Sequence, residues 1–99
     1  MRRGEIWTYQ PPTKATRERT VLVLSSDGVN DSERPWLLGT ELLETDPGDI
    51  LGVPLDSRLW VSTLNVTRLY RLWFVQHVAD IDHGVQEQID IALRAALDL

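Results

Sequence analysis

Ninety-nine residues with a formal net charge of −5 and no cysteine make one domain, residues 1–99, with no disulfide and no thiolate chemistry. The acidic balance argues against indiscriminate nucleic-acid binding. No apolar run is long enough for a membrane span or a secretory leader, so a cytoplasmic protein is expected. The charge is uneven, however. Residues 1–20 hold Arg2, Arg3, Lys14, Arg17 and Arg19 against Glu5 and Glu18, and residues 57–79 add Arg58, Arg68 and Arg71. Residues 41–56 hold Glu41, Glu44, Asp46, Asp49 and Asp56 with no cation. Two basic segments can therefore meet on one face and leave the acid elsewhere.

The β-branched and aromatic run Glu5-Ile6-Trp7-Thr8-Tyr9 predicts a first strand. Pro11 and Pro12 cannot donate to a ladder, so a loop follows over 11–16. Val21-Leu22-Val23-Leu24 is an unbroken apolar run, which predicts a central strand buried on both faces. Arg17 and Arg19 stand at its entrance, and Ser25, Ser26, Asp27, Gly28 and Asn30 form a polar turn at its exit. The segment from Asn30 to Pro35 is a polar connection with room for one helical turn. Trp36 to Leu43 predicts a third strand, and Pro47-Gly48 a tight turn. A short strand runs from Ile50 and ends near Pro54.

From Leu59 the pattern alternates: Trp60, Ser62, Leu64 and Val66 on one face, Val61, Thr63, Asn65 and Thr67 on the other. The chain is expected to stay extended through Val75. Asp82 is a plausible N-cap. Val85, Ile89, Leu93 and Leu97, joined by Ala92 and Ala96, predict a terminal helix with one apolar face. Short strands, turns and one final helix imply a small β-rich α+β domain, a barrel or rolled sheet closed by the helix.

The residues leave few chemistries open. His77 and His83, with Asp80 and Asp82 nearby, match no zinc spacing, so no metal and no cofactor are expected. Phosphate-binding glycine loops and a serine nucleophile elbow are absent. The tryptophans, Trp7, Trp36, Trp60 and Trp73, suit a core or an interface, and one of them could stack on an unpaired base. The arginines remain. A guanidinium keeps its proton and its planar fork matches phosphate, so a fixed arginine with a hydroxyl beside it can stabilise a pentavalent phosphorus without a metal. Arg19, on a strand end, is held more rigidly than Arg17. Its alternative role is a surface ion pair with Glu18 or Glu41.

Taken together these residues resemble the MazF/PemK (Kid) family of bacterial toxins. Arg3-Gly4-Glu5-Ile6-Trp7 is similar to that family's opening, and Pro12-Thr13-Lys14 to its following loop. Arg19-Thr20-Val21-Leu22-Val23-Leu24-Ser25-Ser26-Asp27 with Asn30 is similar to its Arg-Pro-Val-Leu-Val segment, with Thr20 in place of proline and Ser26 in place of asparagine. Asn65-Val66-Thr67-Arg68 resembles a later strand, and Val78-Ala79-Asp80-Ile81-Asp82 plus the helix its ending. The loop before Arg19 is shorter than the family's.

The resemblance implies an SH3-like β-barrel of the CcdB/MazF/PemK type with a C-terminal helix, usually a homodimer. It implies the toxin of a type II toxin–antitoxin module, a metal-independent endoribonuclease that cuts single-stranded RNA and leaves a 2′,3′-cyclic phosphate. Its catalytic arginine falls on Arg19 and its hydroxyl partner near Thr40, with Thr45 as the alternative. Lys14, Arg17, Trp7, Asn30 and Arg68 are expected to contact substrate, and a cognate antitoxin to cover the site. The competing expectation is an inactive member that binds antitoxin or gyrase. The gyrase version is disfavoured, because CcdB chains end in Trp-Gly-Ile and this one ends Leu97-Asp98-Leu99.

Overall fold

A computed structural model describes residues 1–12, 18–48, 51–55 and 59–98. Among the described residues, seven strands and two α-helices follow in order: β1 (Glu5–Tyr9), β2 (Arg19–Val23), α1 (Asp27–Asn30), β3 (Trp36–Glu41), β4 (Gly52–Pro54), β5 (Trp60–Ser62), β6 (Thr67–Tyr70), β7 (Phe74–Asp80) and α2 (His83–Leu97). One antiparallel sheet has the order β6-β3-β2-β1-β7, and β4 and β5 form a separate ladder. The small α+β fold with a terminal helix is as the sequence implies. Among the described residues the ladders do not close into a full barrel. The two sheets are joined instead by a bridge between Leu43 and Trp60.

The middle strand organises both sides of the sheet. Successive side chains of β2 point to opposite faces, so its apolar run feeds two cores. Leu22 and Leu24 pack with Ile6, Leu42, Val53, Val61, Ile89 and Ala92 beneath α2. Val21 and Val23 pack with Tyr9, Leu37 and Leu69 on the other face, flanked by Trp7, Trp73 and Phe74. Each fully buried Val, Leu or Ile side chain among them, such as Leu22, Leu37 and Ile89, contributes about 1.5–3 kcal/mol of transfer free energy. Gly39 lets the β2 and β6 strands flank β3 closely. A Cβ there would fall on the Leu22 carbonyl oxygen and within 2.6 Å of Leu69 Cδ1.

Two expectations are corrected. The stretch from Leu59 to Val75 is not one extended run: 3₁₀ turns at Thr63–Asn65 and Arg71–Trp73 split it into β5, β6 and the start of β7. Alternation alone cannot show where a strand must bend to leave one sheet for another. The helical turn lies at Asp27–Asn30, before the polar connection rather than within it. The helix α2 begins as expected, with Asp82 accepting a 2.8 Å hydrogen bond from the Val85 N–H. No helix of the described residues is long and apolar enough to cross a membrane.

Candidate active site

Arg19 opens β2 and lies level with Tyr9 of β1. Its side chain is 45% exposed, and Nη1 stands 3.8 Å from Oε2 of Glu41, itself 51% exposed. Glu41 pairs with Val21 across β2–β3 and so points to the same face as Arg19. The pair is loose, and among the described residues no other side chain engages the guanidinium fork. Tyr9 forms the floor. It is buried, and its hydroxyl accepts a 3.0 Å hydrogen bond from the Tyr70 N–H. Burial raises the Tyr9 pKa, outweighing the lowering by that hydrogen bond and by the Arg19 charge. Tyr9 therefore stays neutral and serves as support for the site.

The structure does not bring Thr40 to Arg19. Thr40 is level with Leu22 and fully buried, on the face covered by α2. Among the described residues its hydroxyl reaches only the Glu41 carbonyl, at 3.5 Å. The expected catalytic hydroxyl is thus on the wrong side of the sheet, because a one-residue difference along a strand reverses the face. Thr45 is exposed beyond β3, after the Leu43 bridge. Glu41, seen in the sequence only as an ion-pair partner, is the polar side chain that β3 does deliver to Arg19.

Asn30 is likewise unavailable to a substrate. It is buried, and its amide exchanges hydrogen bonds with Ser25: Ser25 Oγ donates to Oδ1, and Nδ2 donates to the Ser25 carbonyl at 2.9 Å. Its own carbonyl accepts from Arg71 Nη1 at 2.6 Å. Arg71 also donates to the carbonyls of Val29 and Arg34, at 2.8 and 2.5 Å. This arginine is a clamp on the chain around α1.

Trp7 shares the Arg19 face, but its indole is engaged. Nε1–H donates to Glu5 Oε1 at 2.9 Å, and the ring stacks on His77. Arg68 is exposed on β6, level with Leu38, and lies over the Trp36 ring at 5.2 Å. That places it towards the other end of the ladder from Arg19 and on the opposite face. Lys14 and Arg17 lie outside the described residues. Of the expected site, then, Arg19 and Trp7 share a face, while Thr40, Asn30 and Arg68 do not join them. The burial of Thr40 and Asn30 had no signal in residue type, since Thr and Asn are usually exposed.

No protein-family model and no curated protein matches the sequence. Solved structures do match its fold. A mycobacterial endoribonuclease in complex with its cognate antitoxin superposes with a TM-score of 0.85 at 16% identity, covering 100% of this chain and 96% of its own. MazF in a MazE–MazF complex from Deinococcus radiodurans gives 0.81 at 18% identity, covering 100% and 97%. The Mycobacterium tuberculosis toxin MazF-mt6 gives 0.78 at 19% identity, covering 96% and 97%. Along its whole length, this chain has the fold of the MazF endoribonuclease toxins.

Proposed function

We propose that this chain is the toxin of a type II toxin–antitoxin module. It acts in the cytoplasm as a metal-independent endoribonuclease, cutting single-stranded RNA at short specific sequences. The observation that carries this reading is Arg19: a rigidly based, half-exposed guanidinium on a fold shared end to end with endoribonucleases. In the reaction, an RNA 2′-hydroxyl oxygen bonds to the adjacent phosphorus and the P–O5′ bond breaks. The products are a 2′,3′-cyclic phosphate and a 5′-hydroxyl. Arg19 holds the non-bridging oxygens, where charge builds. Glu41, beside the guanidinium, takes the 2′-hydroxyl proton, and the departing O5′ takes a proton from water.

The active species is a homodimer, and the partner is an antitoxin whose acidic segment competes with RNA for Arg19 and its neighbours. Incubating the purified chain with mixed-sequence RNA in EDTA and sequencing the ends tests the activity. Cyclic-phosphate ends at a recurring sequence are expected, and their absence with wild-type protein would overturn the reading. Light scattering should give twice the monomer mass of 11.3 kDa.

A second reading is a non-catalytic antitoxin-binding module. Its support is that no serine or threonine hydroxyl is hydrogen-bonded to Arg19 among the described residues. Antitoxin binding without any RNA cleavage would favour it.

A further inference from the structure

We propose that Glu5, His77 and Asp80 form a binding site for one divalent transition ion of the zinc class. Glu5 is far in sequence from His77 and Asp80, and strand pairing with a β-bulge brings the three together. Along the β1–β7 ladder Glu5 pairs with Asp80 and Ile6 with Ala79, but Trp7 pairs with His77, so Val78 is an extra residue on β7. In a regular strand, residues three apart point to opposite faces. The inserted residue cancels one alternation and turns His77 to the side of Asp80 and Glu5. One ligand atom from each of the three lies within 4.8 Å of the others.

The distances suit an ion. His77 Nε2 is 2.8 Å from Asp80 Oδ1 and 4.0 Å from Glu5 Oε2. Metal–ligand bonds of about 2.0–2.2 Å put neighbouring donors roughly 3–3.5 Å apart, within side-chain torsion of what is present. One imidazole and two carboxylates match a borderline divalent ion better than a hard or a soft one.

The support around the three residues is already built. Trp7 donates its indole N–H to Glu5 Oε1 at 2.9 Å, leaving Oε2 turned towards His77. The Trp7 ring lies against the imidazole, with centroids 5.4 Å apart and planes 18° apart. Such outer contacts hold ligands in place. Glu5 is 16% exposed, His77 40% and Asp80 66%, so an ion has an open approach on the Asp80 side. The neighbouring Arg3 is drawn away to Asp90 at 2.6 Å on α2.

The test is calorimetric titration of zinc chloride into the full chain, first stripped with EDTA and desalted. One ion per chain is expected. His77→Gln should weaken binding more than about 100-fold, beyond the ~10–100-fold that losing an outer partner costs. Trp7→Phe, which keeps an aromatic ring at the position but loses the indole N–H, should weaken it about tenfold. His83→Gln should leave it unchanged, since His83 pairs with Glu87 on the helix. Circular dichroism checks that each variant folds. No binding by the wild type, full binding by His77→Gln, or loss of binding in His83→Gln would each overturn the proposal.

Discussion

Arg19 and Thr40 stand on opposite faces of the β2–β3 ladder. Thr40 is level with Leu22 and buried with it under α2, while Glu41, one residue on, shares the face of Val21 and Arg19. Arg19→Ala should therefore slow RNA cleavage by a factor on the order of 100–1,000, the effect of losing one preorganised donor at a transition state. Arg19→Lys should be nearly as poor, because an ammonium cannot grip two oxygens in a fork. Glu41→Gln should slow cleavage about 100-fold. Thr40→Val should cut at the wild-type rate. Its hydroxyl makes only a 3.5 Å contact, so its stability should change by less than about 1 kcal/mol. Single-turnover cleavage of a labelled RNA measures all four, and a slow Thr40→Val with normal stability would restore Thr40 to the site.

Gly39→Ala should be among the most damaging single changes. The new methyl would meet the Leu22 carbonyl oxygen and Leu69 Cδ1, both in packed strands with nowhere to move. A loss of about 3 kcal/mol or more is expected, from urea denaturation followed by tryptophan fluorescence.

Arg71→Gln should cost about 2–3 kcal/mol, because one guanidinium holds the carbonyls of Val29, Asn30 and Arg34. Arg71→Lys should recover less than half, since a single ammonium cannot span three divergent carbonyls. Amide hydrogen exchange should show the loss first in residues 27–35.

The Glu5–His77–Asp80 cluster gives a pH signature in EDTA. The hydrogen bond to Asp80 is the main cause that raises the His77 pKa above 6.5. For Glu5, burial pushes upward, but the Trp7 hydrogen bond, a backbone hydrogen bond from Arg2 and the His77 charge together bring its pKa below 4.5. The His77 contribution to stability is complete below its unfolded pKa and is lost as pH rises through the raised folded value. The Glu5 contribution is present above its unfolded pKa and is lost as pH falls through the lowered folded value. Stability from the cluster should peak between about pH 4.5 and 6.5. In Asp80→Asn the His77 proton resonances should titrate at a lower midpoint, and an unchanged midpoint would count against the 2.8 Å contact.

Much of the architecture follows from local pattern. The apolar run Val21-Leu22-Val23-Leu24 is the buried centre of the sheet, and Asp82 with Val85, Ile89 and Leu93 is the capped amphipathic helix. These elements are legible because strand alternation, caps and helical periodicity are short-range consequences of backbone geometry. The same holds for Arg19 at a strand end, exposed because its charge is costly to bury. Tertiary structure decided which side chains meet. Residue type cannot reveal that Thr40 and Asn30 are buried, that Arg71 caps three carbonyls, or that Glu41 is the group facing Arg19. Those facts depend on register between strands, where a shift of one residue reverses a face. The Val78 bulge is the sharpest case. It joins Glu5 to His77 and Asp80 across more than 70 residues of chain, through an irregularity that no periodicity in the sequence announces.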